Sequence, residues 1–460
     1  MPTPPSTARR RLLGTLALAP AGALWPAAPA AGADRPARRF GDTLGLGVKF
    51  AQGQPASELP MLTELRVRWV RDVIVWPDLE PVAGRHVAFA APLRERLAFY
   101  ARHDIGVVML LTLGNDKAYP PVPDEQPPRR YDPEAFGRYA AAVARQLRAL
   151  GVRFVLEIGN EPHNSQFART IGGHWTGRGP AAWVRHYVRM VAAAVREVKA
   201  IDPAIRLLTD DDMWVVHYWY LEAGLPRELD GFAVHPYVKG APEKAAVGFQ
   251  TDWLAPFTVV DRDASFRSAV RRLREQGEAR LGRRPEIWIT EWGWPVGPGA
   301  AGPPIDDATL VAYLPRAFIL SAAAGVEALL WFSSRDSVDG PMGLTRNDGS
   351  RRDSYRAFKT LAAELADWTL LRQVAGAAQP TEGLQAFLFE SPAGRKLAVW
   401  SADGRPRRLK PPPGAPLRGV DALGQPLPAN GATLAVGAAP IYLAGGWSDA
   451  VLAARLDTDD

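Results

Sequence analysis

Between residue 44 and about residue 366, short apolar runs alternate with longer amphipathic stretches, and they do so eight times. No other feature constrains the fold as strongly. Apolar runs of roughly four to eight residues separated by helical periodicity bury themselves as a parallel sheet covered by helices. The runs lie at 44–48, 69–73, 106–111, 154–158, 206–209, 231–234, 286–290 and 328–332. Eight parallel strands is the number that closes a (β/α)8, or TIM, barrel, so an α/β barrel over residues 40–366 is expected.

Helical spacing of apolar residues marks the intervals 133–150, 181–200, 264–281 and 306–324, with a last helix at 354–367. Asp132 followed by Pro133 is a helix start: the carboxylate caps the first amides, and proline suits the first helical position. Beyond residue 367 the texture changes to short alternating runs at 385–389, 396–400, 432–436 and 441–443 between Gly/Pro-rich turns. Residues 368–447 therefore read as a small C-terminal β-sandwich packed on the barrel, and 448–460 as an acidic tail.

Cysteine is absent from all 460 residues, which removes disulfides, thiolate metal sites, iron–sulfur clusters and a cysteine nucleophile together. At the N-terminus, Arg9, Arg10 and Arg11 precede an apolar run broken by Pro20 and Pro26, followed by small-residue patterns ending near Ala33. Residues 1–33 read as a signal peptide, with paired arginines that suit a twin-arginine signal, so an exported protein without a stable membrane anchor is expected. Those three arginines account for half of the formal charge of +6, leaving about +3, too little to argue for a nucleic-acid partner.

Barrel chemistry gathers at the C-terminal ends of the strands. Gly159-Asn160-Glu161-Pro162 follows the fourth run, and Glu291-Trp292-Gly293-Trp294 follows the seventh. Two carboxylates three strands apart face each other across the mouth, the pattern that hydrolysis of a glycosidic bond with retention requires. One must arrive protonated and the other ionised. Asn160 is placed to donate to the sugar hydroxyl beside the anomeric carbon. Tyr237 and His235, after the sixth run, are placed to hold the nucleophile and line the floor. Arg71, on the second strand, is placed to keep the nucleophile ionised, with its neighbour Asp72 as the competing partner. Trp331 is expected to stack on the sugar, with Trp76, Trp214, Trp292 and Trp294 as further platforms and Trp288 as core. Asp210-Asp211-Asp212 reads as a solvated turn capping the next helix rather than a cation site, and His163, His174 and His217 lack metal-ligand spacing. No metal or cofactor is expected.

The Asn160-Glu161-Pro162 and Thr290-Glu291-Trp292-Gly293 motifs resemble the signature of glycoside hydrolase clan A. Trp69-Val70-Arg71, Trp76, and Asp78-Leu79-Glu80-Pro81 with Gly84 resemble family 39 within it, in particular exported members associated with bacterial exopolysaccharide. The resemblance covers residues 40–366 and implies Glu161 as acid/base, Glu291 as nucleophile, and a β-linked oligo- or polysaccharide as substrate. The run 209–214 departs from any substrate-binding pattern of the group. A transglycosylase sharing the intermediate, or a non-catalytic glycan-binding protein, are the competing functions. A metal-dependent hydrolase would need clustered His and Asp at the strand ends, where the sequence offers only His235.

Overall fold

The eight apolar runs form a closed parallel barrel in the order β1 to β8. The strands are β1 Leu44–Gly47, β2 Trp69–Ile74, β3 Gly106–Leu111, β4 Phe154–Ile158, β5 Arg206–Asp211, β6 Gly231–Val234, β7 Glu286–Trp292 and β8 Leu329–Trp331. This computed structural model describes residues 38–172, 177, 179–245, 257–297, 305–410, 418–428, 433–449, 452 and 458–459. The expected signal peptide, His174 and part of the acidic tail lie outside the described residues. No helix among those residues is long and apolar enough to cross a membrane.

Side-chain parity explains how the barrel is filled. Successive residues of a strand face opposite sides, so alternate positions point inward. Trp69, Val108, Val155, Leu208, Ala233, Trp288, Ala328 and Leu330 form one buried cluster inside the barrel. Trp69 and Trp288 meet there edge to face, with centroids 4.8 Å apart. Two residues further along each strand, the same parity puts Arg71, Leu110, Glu157, Asp210, His235, Thr290 and Phe332 in the layer above. An apolar plug therefore carries a polar layer at the C-terminal mouth.

The outward positions bury themselves under helices. In chain order these are α1 Pro60–Glu64, α2 Trp76–Leu79, α3 Ala91–Arg102, α4 Pro133–Ala149 and α5 Gln166–Thr170. They continue with α6 Ala182–Lys199, α7 Trp214–Glu222, α8 Phe266–Leu281, α9 Asp307–Ala323 and α10 Asp353–Leu365. Asp132 caps α4 as expected, its carboxylate accepting from the Ala135 amide at 2.7 Å. Asp306 caps α9 in the same way through the Thr309 amide.

Beyond α10 come two antiparallel sheets. One holds five strands, β9 Thr369–Ala375, β10 Leu384–Ser391, β11 Gly394–Ser401, β13 Arg418–Val420 and β15 Ile441–Gly445. The other holds β12 Arg407–Leu409, β14 Leu434–Val436 and β16 Thr458–Asp459. Alternation along β10 shows why this is a sandwich docked on a barrel. Ala386 and Leu388 join the core between the two sheets. Phe387 and Phe389 face the other way and join the barrel's core. The junction is pinned by a buried ion pair, Arg316 of α9 with Glu243 of the β6–α8 connection, and by Trp400 Nε1 donating to Glu243 Oε1 at 2.8 Å.

Candidate active site

The β4 end turns sharply, and its sequence makes the turn possible. Gly159 sits at φ +77°, where a side chain is strained, and a Cβ there would crowd Leu113. Glu161 follows at φ +43°, a left-handed conformation a glutamate rarely adopts. Its amide is held by the Asp210 carboxylate at 2.6 Å. Backbone strain of this kind persists only where surrounding groups determine it, and it recurs at functional sites.

A β-bulge positions the second carboxylate. Along β7, Trp288 and Thr290 point inward, so regular alternation would turn Glu291 outward. The β7–β8 register shifts between Ile289 and Trp292, and Glu291 joins Thr290 on the inner side. Gly293 permits the close approach that follows, since a Cβ there would overlap the Phe332 carbonyl.

Both glutamates meet at one imidazole. His235 Nδ1 lies 2.8 Å from Glu161 Oε1 and 3.8 Å from Glu291 Oε2. A carboxylate oxygen of Glu161 and one of Glu291 come within 4.8 Å of each other. The two environments are unequal. Glu291 Oε1 is ion-paired to Arg71 Nη1, and its Oε2 accepts from the Tyr237 hydroxyl at 3.0 Å. Among the described residues no guanidinium pairs with Glu161; its other oxygen is 3.4 Å from the Asn164 side-chain nitrogen Nδ2.

Arg71 is the hub of the layer. Its Nε donates to Glu157 at 2.6 Å and its Nη2 to Asn160 Oδ1 at 2.8 Å. The latter bond fixes the Asn160 amide with its oxygen on the arginine and its NH2 towards the mouth. Burial works against the guanidinium's charge, but Glu157, Glu291 and Asp210 outweigh it and hold its pKa above the ordinary value. Asp72, the competing partner, faces outward and pairs with Arg96 at 3.0 Å. Below the glutamates, His235 Nε2 lies 3.0 Å from both Asp210 Oδ1 and the Thr290 hydroxyl. Burial pushes the Asp210 carboxyl up. Against its own burial, the carboxylates of Asp210 and Glu291 pull the imidazole up. Burial, with Glu291 beside it, likewise raises Tyr237, which stays a neutral donor.

The tryptophan platforms are corrected. Trp331 faces outward on β8, buried against Trp294 at 5.8 Å. The neighbouring Phe332 has the inward parity and lines the mouth instead. Trp292 packs on Phe266 of α8 at 4.7 Å, and Trp294 spans Trp292, Tyr313 and Trp331 while donating to the Val238 and Gly240 carbonyls. Trp76 stacks on Tyr139 at 11° and donates to Glu80, and Trp214 is buried against Phe266. All five are wedges between barrel and helices rather than sugar platforms. Trp288 is core, as its position in the sequence suggested.

The aspartate run is corrected as well. Asp210 and Asp211 are fully buried on β5, and Met213 occupies the cap position of α7. Asp211 accepts from the Tyr220 hydroxyl at 2.9 Å and pairs with His163 Nδ1 at 2.6 Å; Asp212 lies 3.0 Å from the same nitrogen. His163, Asp211 and Asp212 thus have metal-ligand proximity that linear spacing did not reveal. Burial opposes the imidazolium, but the two aspartates raise His163 to about 11. A cation there would have to displace that tightly held proton. The similar grouping of Glu157, Asp210 and His235 already has its positive charge from Arg71.

Arg71, Asn160, Glu161 and Glu291 line a cavity of about 280 Å³, together with Lys49, Phe332 and Asp339. A larger cavity, about 630 Å³, lies at the junction of barrel and sandwich and carries none of the strand-end carboxylates. Sequence reasoning missed Glu157, Asp210, Lys49, Phe332 and Asp339. A glutamate at an inward position of the apolar β4 run was the available signal for Glu157.

No protein-family model and no curated protein matches this sequence. Among solved structures, the chain is similar to a family 39 glycoside hydrolase from the gut symbiont Bacteroides cellulosilyticus WH2. That match has a TM-score of 0.69 and 19% identity, covering 88% of this chain and 81% of that one. It is also similar to the GH39 enzyme from Xanthomonas axonopodis pv. citri, with TM-score 0.55, 18% identity, and 88% and 94% of the two chains covered. A GH30 endoxylanase from Clostridium papyrosolvens C71 matches at TM-score 0.56 and 10% identity, over 90% of this chain and 97% of that one. At such identities the likeness establishes the fold, a TIM barrel followed by a β-sandwich, shared with glycoside hydrolases of the families its motifs resemble.

Proposed function

We propose that this chain is an exported retaining glycoside hydrolase of clan A, akin to family 39, that cleaves β-linked glycans such as a bacterial polysaccharide or exopolysaccharide. The observation that carries this reading is the unequal pair of glutamates: Arg71 and Tyr237 both hold Glu291, while no guanidinium among the described residues pairs with Glu161 opposite. Their approach to within 4.8 Å favours retention, for which about 5–5.5 Å is usual, over inversion, which leaves about 6.5–9.5 Å for a water.

In this reading Glu161, arriving protonated, gives its proton to the glycosidic oxygen as that bond to the anomeric carbon breaks. Glu291 attacks the same carbon and forms a glycosyl ester. Glu161, now a carboxylate, then takes a proton from water, whose oxygen displaces Glu291. Asn160 donates to the neighbouring sugar hydroxyl, a contact that strengthens as the ring gains oxocarbenium character.

The test is release of reducing ends from a panel of β-linked polysaccharides, including the host's exopolysaccharide, by wild type, Glu161→Gln and Glu291→Gln. Wild-type release that Glu291→Gln abolishes supports the reading. Equal release by all three proteins overturns the mechanism.

A further inference from the structure

The proposed chemistry leaves one charged pair in the cavity without a task. Lys49 follows β1, and Asp339 lies on the β8–α10 connection; Nζ and Oδ2 meet at 2.8 Å. Both line the cavity that holds Glu161 and Glu291. The lysine side chain is only 8% exposed, whereas that of Asp339 is 43% exposed and accessible to a ligand.

Each partner is fixed in place. The Lys49 amide donates to Gln54 Oε1 at 2.7 Å, and that oxygen also accepts from the Ser334 hydroxyl at 2.8 Å. Lys49 Nζ lies 3.8 Å from the Phe332 ring centroid, a cation–π contact that orients the ammonium. The Ser337 hydroxyl donates to Asp339 Oδ2 at 2.9 Å. Partial burial opposes its ionisation, but Lys49 and Ser337 keep the Asp339 carboxyl below the usual range, so it is an acceptor at neutral pH. Two anchored charges facing a cavity satisfy each other only in part: the ammonium has three donors and the carboxylate about four acceptor sites.

We infer that Lys49 and Asp339 form a clamp for two adjacent hydroxyls of the sugar in the cleavage subsite, and that the pair selects a neutral sugar over a uronate. This inference rests on the glycosidase reading. The carboxylate of Asp339 accepts from both hydroxyls, and the ammonium donates to one of their oxygens. Charge supplies the selectivity. Arg71 is committed to Glu157 and Glu291, and Lys49 to Asp339, so a uronate carboxylate would enter beside Glu161, Glu291 and Asp339 with no unpaired cation among these groups.

The test compares kcat/KM for 4-nitrophenyl β-glycosides of neutral hexoses and pentoses with those of the matching uronates, in wild type, Asp339→Asn, Lys49→Met and Glu291→Gln. Wild type is expected to favour a neutral glycoside. In Asp339→Asn that glycoside should lose about 10- to 100-fold, mostly in KM, the worth of one or two charge-assisted hydrogen bonds. The uronate should gain, because the ammonium is released to meet it. Asp339→Asn leaves the nearly buried Lys49 ammonium with an amide oxygen in place of its counter-charge, so the variant should melt somewhat below wild type yet stay folded, and Lys49→Met should lose the neutral substrate without gaining the uronate. Activity that Glu291→Gln abolishes, with a neutral-to-uronate ratio unmoved by Asp339→Asn, overturns the clamp alone. A wild-type preference for the uronate overturns it too. Activity surviving in Glu291→Gln, or hydrolysis of no glycoside, overturns the glycosidase reading and the clamp with it.

Discussion

Removing Arg316 should loosen the whole back of the barrel. Its guanidinium is buried on α9, paired through Nε with Glu243 Oε1 at 2.9 Å and through Nη2 with Glu243 Oε2. It also donates to the carbonyls of Ala402 at 3.0 Å and Ala438 at 3.2 Å in the sandwich. In Arg316→Met the Glu243 carboxylate stays buried, with Trp400 Nε1 as its remaining donor among these contacts. Breaking one side of a buried pair costs about 3–5 kcal/mol, because the surviving charge is left uncompensated. Replacing both partners by apolar groups is far milder, so Arg316→Met combined with Glu243→Leu should recover most of the loss. Urea unfolding followed by tryptophan fluorescence measures both variants. Glu243 and Tyr237 share the β6–α8 connection, so the single variant should also lower glycosidase activity. A single variant within about 1 kcal/mol of wild type, or a double variant no better than the single, would mean that the Arg316–Glu243 pair does not pin the junction.

Tyr237→Phe removes one hydrogen bond to Glu291 and keeps the ring; turnover should fall about 10- to 100-fold with the melting temperature unchanged, checked by steady-state kinetics beside a thermal melt. Phe332→Ala should raise KM, whereas Trp331→Phe should lower stability and leave KM alone; the opposite pattern would restore Trp331 as the platform. His163 is held at about 11, above the roughly 6.5 of an unfolded imidazole. The stabilisation it brings is therefore complete below about pH 6.5 and lost as pH rises towards 11, so the wild-type melting temperature should fall between pH 7 and 10 more steeply than that of His163→Gln.

The barrel was legible because burial on both faces writes each strand as an apolar run. Four of the later strands were not: β9 is half exposed, β12 and β13 are three residues long and carry arginine, and β16 is two residues long. Glu161 and Glu291 were legible as carboxylates closing strands three apart. Parity alone would have mis-aimed Glu291, which the β7 bulge turns inward, and parity correctly applied would have preferred Phe332 to Trp331. Asp210 and Asp211 resemble a solvated turn in the sequence. Their burial depends on His235, His163 and Tyr220, partners brought in from other segments by the closed barrel, which linear spacing does not show.

The proposed mechanism attaches the sugar covalently to Glu291. Incubation with a 2-deoxy-2-fluoro glycoside bearing an activated leaving group slows breakdown of the glycosyl ester, and intact mass followed by peptide mapping locates the label. One fluorosugar per chain is expected, on the peptide containing Glu291, and none in Glu291→Gln. A label on Glu161 or on another residue, or a substrate hydrolysed with inversion at the anomeric carbon, would contradict that mechanism.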